Sequence, residues 1–332
     1  MLRFALIFAA LIHVTALAGD PAGLVYSGKT SWDSAAGRLS FESSGTMPES
    51  KEGFHWAVPS EVRQIVISEG VTVKGAFRVT YRDATNPLQI SGKNRETSVL
   101  YGTDVERWTT ENKIPENEKW RYGAVSVIAD AVVRITDLTS QNPRGYNISG
   151  YANKAVLHVS RCNLIDTRKG DNNNSDGFIG AAGSTITDSL ISTSDDGIKV
   201  YRDITIKNVT IEQHRNGGPI QFGWGGESGP AKATIENLTI KGVDPQQLYN
   251  MAPFTWEGGT TGSREVTVTG LKVILPGKLY DESAKIWRSM GLFELKPKGC
   301  TLNITILDAE AKGLGLGIRN TLGTITMNGT TL

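Results

Sequence analysis

Three carboxylates fall in two phrases of one shape, Ser175-Asp176-Gly177-Phe178 and Ser194-Asp195-Asp196-Gly197-Ile198, with Asp176 and Asp196 20 positions apart. Brought close together, such groups repel, so at least one holds its proton near neutrality. An acid beside a base is the equipment for cleaving a glycosidic bond. Two other readings are open on these residues. Asp-Gly and Asp-Asp-Gly are also turn signals with solvated side chains. The run Asp171-Asn-Asn-Asn-Ser-Asp176 offers oxygen ligands for calcium, although it lacks the Gly and distal Glu of a helix-loop-helix site. Downstream, Trp224 offers a platform for the apolar face of a sugar, and His214, Asn216 and Gln221 offer hydrogen bonds to hydroxyls. Lys199 and Arg202 are placed to bond hydroxyls or to tune the acids. Tyr201 is a further subsite aromatic, and Trp256 reads better as packing.

Carboxylates 20 residues apart meet only if the chain returns to the same face at that interval. A second pattern shows that it does. An apolar residue, a spacer, then Asp, Asn, Arg or Gly recurs at Ile135-Thr-Asp137, Val159-Ser-Arg161, Ile186-Thr-Asp188, Ile206-Lys-Asn208, Ile235-Glu-Asn237 and Val268-Thr-Gly270. The steps are 24, 27, 20, 29 and 33 residues, with less regular versions at Leu302–Leu307 and near Ile325. Strand periodicity within each unit, and no helical pattern between units, predicts an all-β parallel β-helix. A β-propeller would need blades of about 40 to 45 residues. In a β-helix equivalent residues stack about 4.8 Å apart. Phe178, Ile198, Ile220 and Phe254 then form an inward apolar column, with acids ahead of it only on the two central coils.

The rest of the chain is read around that core. Residues 1–18 read as a signal peptide, with Arg3, the apolar run Phe4 to Leu17, and an Ala16-Leu17-Ala18 cleavage site near Ala18. Residues 19–60 read as an N-terminal lead-in or cap, and 61–332 as the parallel β-helix domain. Strands begin at Val62–Val79, and 81–123 is expected to be a polar, loop-like excursion with Trp108 and Trp120. Without Arg3 the chain has 34 basic and 34 acidic residues, which argues against a nucleic-acid or membrane-surface partner. Cys162 and Cys300 lie about five coils apart and are expected as packed thiols. The sequons at Asn147, Asn208, Asn237, Asn303 and Asn328 are read mainly as turn and ladder chemistry.

Asp176, the 19-residue step to Asp195-Asp196, and Gly217-Gly-Pro-Ile-Gln-Phe-Gly-Trp224 together resemble the polygalacturonase-like clan of glycoside hydrolases, most closely its dextranase and isopullulanase family (glycoside hydrolase family 49). Glu69-Gly-Val-Thr-Val-Lys-Gly75-Ala-Phe77 resembles the first coils of that family, and the likeness covers roughly 62 to 275. It implies a single-stranded right-handed helix of the pectin-lyase-like kind. It also implies Asp195 as general acid, Asp176 and Asp196 as the pair that positions water, and inversion at the anomeric carbon. The chain departs from the clan in places. The stretch before the helix is too short for the family's β-sandwich, and the polygalacturonase Gly-His-Gly and Arg-x-Lys pattern is absent. No basic pair stands near 245–256 to meet a uronate. The expectation is therefore a secreted, monomeric, endo-acting hydrolase of a neutral α-glucan such as dextran, with no metal or other cofactor. The alternatives are another polysaccharide, pectic, algal or bacterial, and a non-catalytic β-helix that binds carbohydrate or acts as an adhesin.

Overall fold

The computed structural model describes residues 20–49, 55–80, 82, 85–105, 122–150, 154–168, 175–224, 229–259 and 261–332. The expected signal peptide over 1–18 lies outside these residues, as do 171–174 of the calcium reading, Trp108 and Trp120. Among the described residues the regular structure is all β, in a right-handed parallel β-helix. One face is a ten-stranded sheet in strict chain order, from Trp56–Ala57 to Gly315–Arg319. Its central strands are Tyr146–Gly150, Asp176–Ile179, Ile198–Lys199, Ile220–Gln221 and Phe254–Trp256. The other two faces meet at a corner, and the long strands Ile204–Gln213, Pro230–Gly242 and Gly262–Ile274 run across it.

That corner explains the repeat. The third position of the template is its one left-handed residue: Asp137, Arg161, Asp188, Asn208, Asn237 and Gly270, with φ between 51° and 71°. Asn, Asp and Gly tolerate this conformation better than other residues because they are small or bond the local backbone. Arg161 is the exception, and its guanidinium grips the carboxylate of Asp137 on the coil before, at 2.6 and 2.7 Å. The Asn237 amide donates to Asn208 Oδ1 at 2.9 Å, and the Asn208 amide to Asp188 Oδ1 at 2.8 Å. These sequon side chains thus form a ladder. Asn147, another sequon, is fully buried and bonded to Ser140 and Asp176.

The apolar residue two places before each corner faces inward, as do the residues of the predicted column. Phe178 pairs with Ile198, Ile198 with Ile220, and Ile220 with Phe254, all at 0% exposure. The column continues to Phe293, whose ring lies 5.4 Å from that of Phe254. Burying these side chains, at about 25 cal/mol per Å² of apolar surface, is what holds successive coils in register.

Two boundaries differ from expectation. Within 19–60, strands Arg38–Phe41, Gly45–Thr46 and Trp56–Ala57 already pair in parallel with Gln64–Ile67, Thr72–Lys74 and Phe77–Val79, so they form the first coil. Within 81–123, Leu88–Gly92 and Val99–Tyr101 are strands of the third coil. Among the described residues of this stretch, short strands among polar residues leave Leu88, Ile90 and Leu100 as the apolar side chains facing inward, too few to show a period. Thr30–Asp33 and Thr330–Thr331 turn back antiparallel onto the terminal strands, covering edges that would otherwise invite another chain. Cys162 and Cys300 are buried free thiols, and burial pushes Cys162 up to about 11.

Candidate active site

The register that stacks Phe178 on Ile198 also puts Asp176 over Asp196, and the Gly177 N–H donates to the Asp196 carbonyl at 2.8 Å. The glycine after each acid serves close approach. A Cβ on Gly177 would stand 2.3 Å from the Gly197 carbonyl oxygen, and one on Gly197 would stand 2.6 Å from that of Pro219. The Asp-Gly phrase is therefore a coil-contact signal, since neither glycine is left-handed. Gly217 is different. Its φ is +82°, and a Cβ there would fall 2.2 Å from the Asp195 backbone carbon, so only glycine lets the next coil pass beneath Asp195.

The three carboxylates meet, with an oxygen from each of Asp176, Asp195 and Asp196 within 4.8 Å of the others. Asp176 and Asp196 are buried and Asp195 is partly exposed. Between the buried pair sits the Lys199 ammonium, 3.0 Å from Asp176 Oδ1 and bonded to Asp196 Oδ2. Burial alone would push this lysine down. The charges of Asp176 and Asp196 outweigh burial and hold it well above the usual range. A spacing of this kind is one that a divalent cation can span, but here Lys199 already supplies a positive charge to two of the three acids.

Asp196 is held further by the Gln221 amide at 2.6 Å and the Gly218 N–H at 3.0 Å. Gln221 in turn accepts from Lys199 at 3.1 Å and from the Tyr201 hydroxyl. Lys199, Tyr201 and Gln221, expected to meet a sugar, are thus buried beneath the carboxylates with these polar atoms bonded to Asp196 and to one another. Register is the reason. Lys199 pairs with Gln221, and both follow the inward column by one residue, on the outer surface of the same sheet as the acids.

His214 and Asn216 line the crevice that contains Asp195, and both open onto a polar cleft of about 580 Å³ with Ser194 and Arg168. His214 Nε2 lies 3.1 Å from Ser192 Oγ. Burial pushes its imidazole below the usual value, against the pull of Asp166 and Glu212. Trp224 is 58% exposed, while Trp256 is fully buried against Phe222 and the Arg264 guanidinium.

Two participants escaped the sequence reading. Tyr146 pairs with Asp176, and the Lys199 ammonium lies 5.7 Å from its ring and 5.8 Å from that of Tyr201. Tyr146, Ile179 and Tyr201 form a small apolar cluster outside the main core, which floors the site. Tyr146-Asn-Ile148 repeats the spacing of Asp176-Gly-Phe178 one coil earlier, the one signal that could have found it. The second is the buried pair Asp166–Arg168, at 2.6 Å beside the cleft.

No family model matches the chain. It is 23% identical over 181 residues to a dextranase of Arthrobacter sp. (strain CB-8), covering 52% of this chain and 28% of that one. It is 21% identical over 206 residues to a dextranase of Arthrobacter globiformis, covering 59% and 31%. The chain thus spans less than a third of the length of these relatives. In fold it matches Dex49A from Penicillium minioluteum with a TM-score of 0.56 and 14% identity, over 93% of this chain and 57% of that one. It also matches an endo-xylogalacturonan hydrolase from Aspergillus tubingensis, with a TM-score of 0.58 and 15% identity, over 88% and 85%. In sequence the chain is similar to these dextranases, and in fold it is a right-handed parallel β-helix like that of the two hydrolases.

Proposed function

We propose that this chain is an exported glycoside hydrolase that cleaves a neutral α-glucan of the dextran kind within the chain. The observation that carries the hydrolytic reading is the carboxylate trio, two members buried around one lysine and the third partly exposed beside a polar cleft. Asp195 is the general acid, protonating the glycosidic oxygen as the bond to the anomeric carbon breaks. Asp176 and Asp196 orient a water molecule and take its proton as its oxygen bonds to that carbon, with inversion. The asymmetry of the trio supports these roles: Asp176 and Asp196 are buried and ion-paired to Lys199, while Asp195 is partly exposed. A neutral substrate is supported by the ion pairing of three cations around the site among the described residues. Lys199 pairs with Asp176 and Asp196, Arg168 with Asp166, and Arg215 with Asp244. Export rests on the apolar leader with its Ala16-Leu17-Ala18 site.

The short separation of the acids favours a second stereochemical reading. Retaining enzymes hold their two carboxyl groups about 5 to 5.5 Å apart and inverting ones about 6.5 to 9.5 Å. On that reading one of the buried aspartates attacks the anomeric carbon directly. Both readings are tested on dextran, pullulan, polygalacturonate and carrageenan by reducing-end release, with the first-formed anomer followed by NMR. Dextran cleavage with inversion is expected, and Asp195→Asn is expected to lower it by about a hundredfold or more. A retained anomer selects the second reading. Unaltered activity in D195N removes Asp195 from its role, and an inactive parent on all four glycans leaves the non-catalytic β-helix.

A further inference from the structure

The face that carries the acids changes character on its N-terminal side. Counted from the paired residues, the column of Asp196 and Asp176 continues through Tyr146 to Gly123 and then Gly75. Two coils in succession thus place no side chain there, and a cavity of about 320 Å³ opens along both glycines. Arg78 and Ser126 on its wall belong to the outward column that reaches Lys199 by way of Ser149 and Ile179. One short segment joins the cavity to the acids. Arg144 lines the cavity, and two residues further on Tyr146 floors the carboxylates. Gly145 between them donates its N–H to the Tyr122 carbonyl at 3.0 Å, and the Arg144 guanidinium lies 5.5 Å from the Tyr122 ring. Two of the cations on the wall are already answered by carboxylates, Arg144 by Glu49 and Lys74 by Asp104. Burial pushes the His55 imidazole below its usual range, so it is uncharged at neutral pH.

We propose that this cavity is a remote subsite that holds an uncharged sugar ring of the substrate, so that one glycan chain runs along the face from the cavity to the carboxylates. This rests on the hydrolytic reading above and deepens it, by adding a site that favours long, neutral chains. At about 4.8 Å per coil, Gly123 lies roughly 10 Å and Gly75 roughly 14 Å from the level of Asp176, along the axis of the helix. A polysaccharide laid along that axis passes both. The volume falls within the range of about 300–1,000 Å³ in which small ligands are held, and the lining is of the matching kind, apolar with a few polar groups. Met47, Ala76 and Val105 offer apolar surface to the faces of a pyranose, while Thr46, Thr103 and Arg78 offer hydrogen bonds to its hydroxyls. A uronate would have to compete with Glu49 for Arg144 and with Asp104 for Lys74, whereas a neutral ring leaves both ion pairs intact.

The test measures binding, so that it does not depend on turnover. D195N protein is titrated by calorimetry with a long isomalto-oligosaccharide and with an oligogalacturonide of equal length. The isomalto-oligosaccharide should bind more tightly, by about tenfold or more. Thr46→Trp, added to D195N at an exposed position on the rim, fills the cavity with an indole and should weaken that binding about tenfold at an unchanged melting temperature. Tyr122→Ala, which removes part of the wall, should weaken it similarly, and Tyr122→Phe should restore it. Equal affinity in D195N and in both cavity variants overturns the subsite, as does the absence of any binding of the isomalto-oligosaccharide. Tighter binding of the galacturonide that Thr46→Trp abolishes overturns the neutral class of sugar. Failure of the hydrolytic reading would appear separately, as a protein that carries Asp195 and cleaves no glycan.

Discussion

Replacing Lys199 with methionine removes the cation on which the candidate site is built, at little change in volume. The Lys199 ammonium is 3.0 Å from Asp176 and bonded to Asp196 and Gln221, with its side chain 7% exposed. At 3.0 Å and an effective dielectric of about 20, one such contact is worth on the order of 5 kcal/mol before the cost of desolvating the ammonium. Measured losses on removing one partner of a buried pair are smaller, about 3–5 kcal/mol. Against a typical total of about 5–15 kcal/mol this is severe, and a fall in Tm on the order of 10 °C is expected. The pH dependence identifies the cause. In the native chain Lys199 titrates above the ordinary lysine range, so its contribution is complete at neutral and acid pH and is lost only as the pH rises through that high value. In Lys199→Met two buried carboxylates face each other with no cation, and the folded variant gains by taking up a proton. It then binds more protons folded than unfolded, so its stability falls as the pH rises through the carboxylate range. Thermal melts of both proteins at pH 4 and pH 7.5 should show a deficit that is larger at pH 7.5. An equal deficit at the two values, or one below about 1 kcal/mol, would refute the account of Lys199 as the counter-charge of the acids.

Gly217→Ala should abolish hydrolysis and lower Tm, because the new methyl overlaps the Asp195 backbone in a left-handed conformation at φ +82°; activity within twofold of the parent would count against the placement of Asp195. Cys162, with its thiol pushed up to about 11 by burial, should not react with a disulfide reagent at pH 8 until the chain is unfolded. Labelling of native protein at that residue within minutes would show that the fifth coil opens.

The sequence carried much of this because a β-helix repeats its environment. Inward positions such as Ile186, Ile206 and Ile235 share one requirement, and the corner residues after them share another, so both recur as letters at near-regular steps. The first and third coils were less legible. Their strands are short, and loops between them absorb residues without disturbing the ladder, so the intervals stretch and the pattern thins.

By itself the sequence determined that three acids come together, since the 20-residue step between Asp176 and Asp196 equals that between Asp188 and Asn208. It also determined that glycine follows Asp176 and Asp196. What each side chain then does was decided by tertiary structure. Lys199 and Gln221 face the same surface as the acids and lie close enough to bond them, so they serve the carboxylates. Tyr146 joins the face from a coil whose letters carry no acid-glycine phrase. The reason is physical. Repetition along the chain fixes which residues stack, but the bonds among stacked side chains depend on distances of 3 Å, which only the packed coils set.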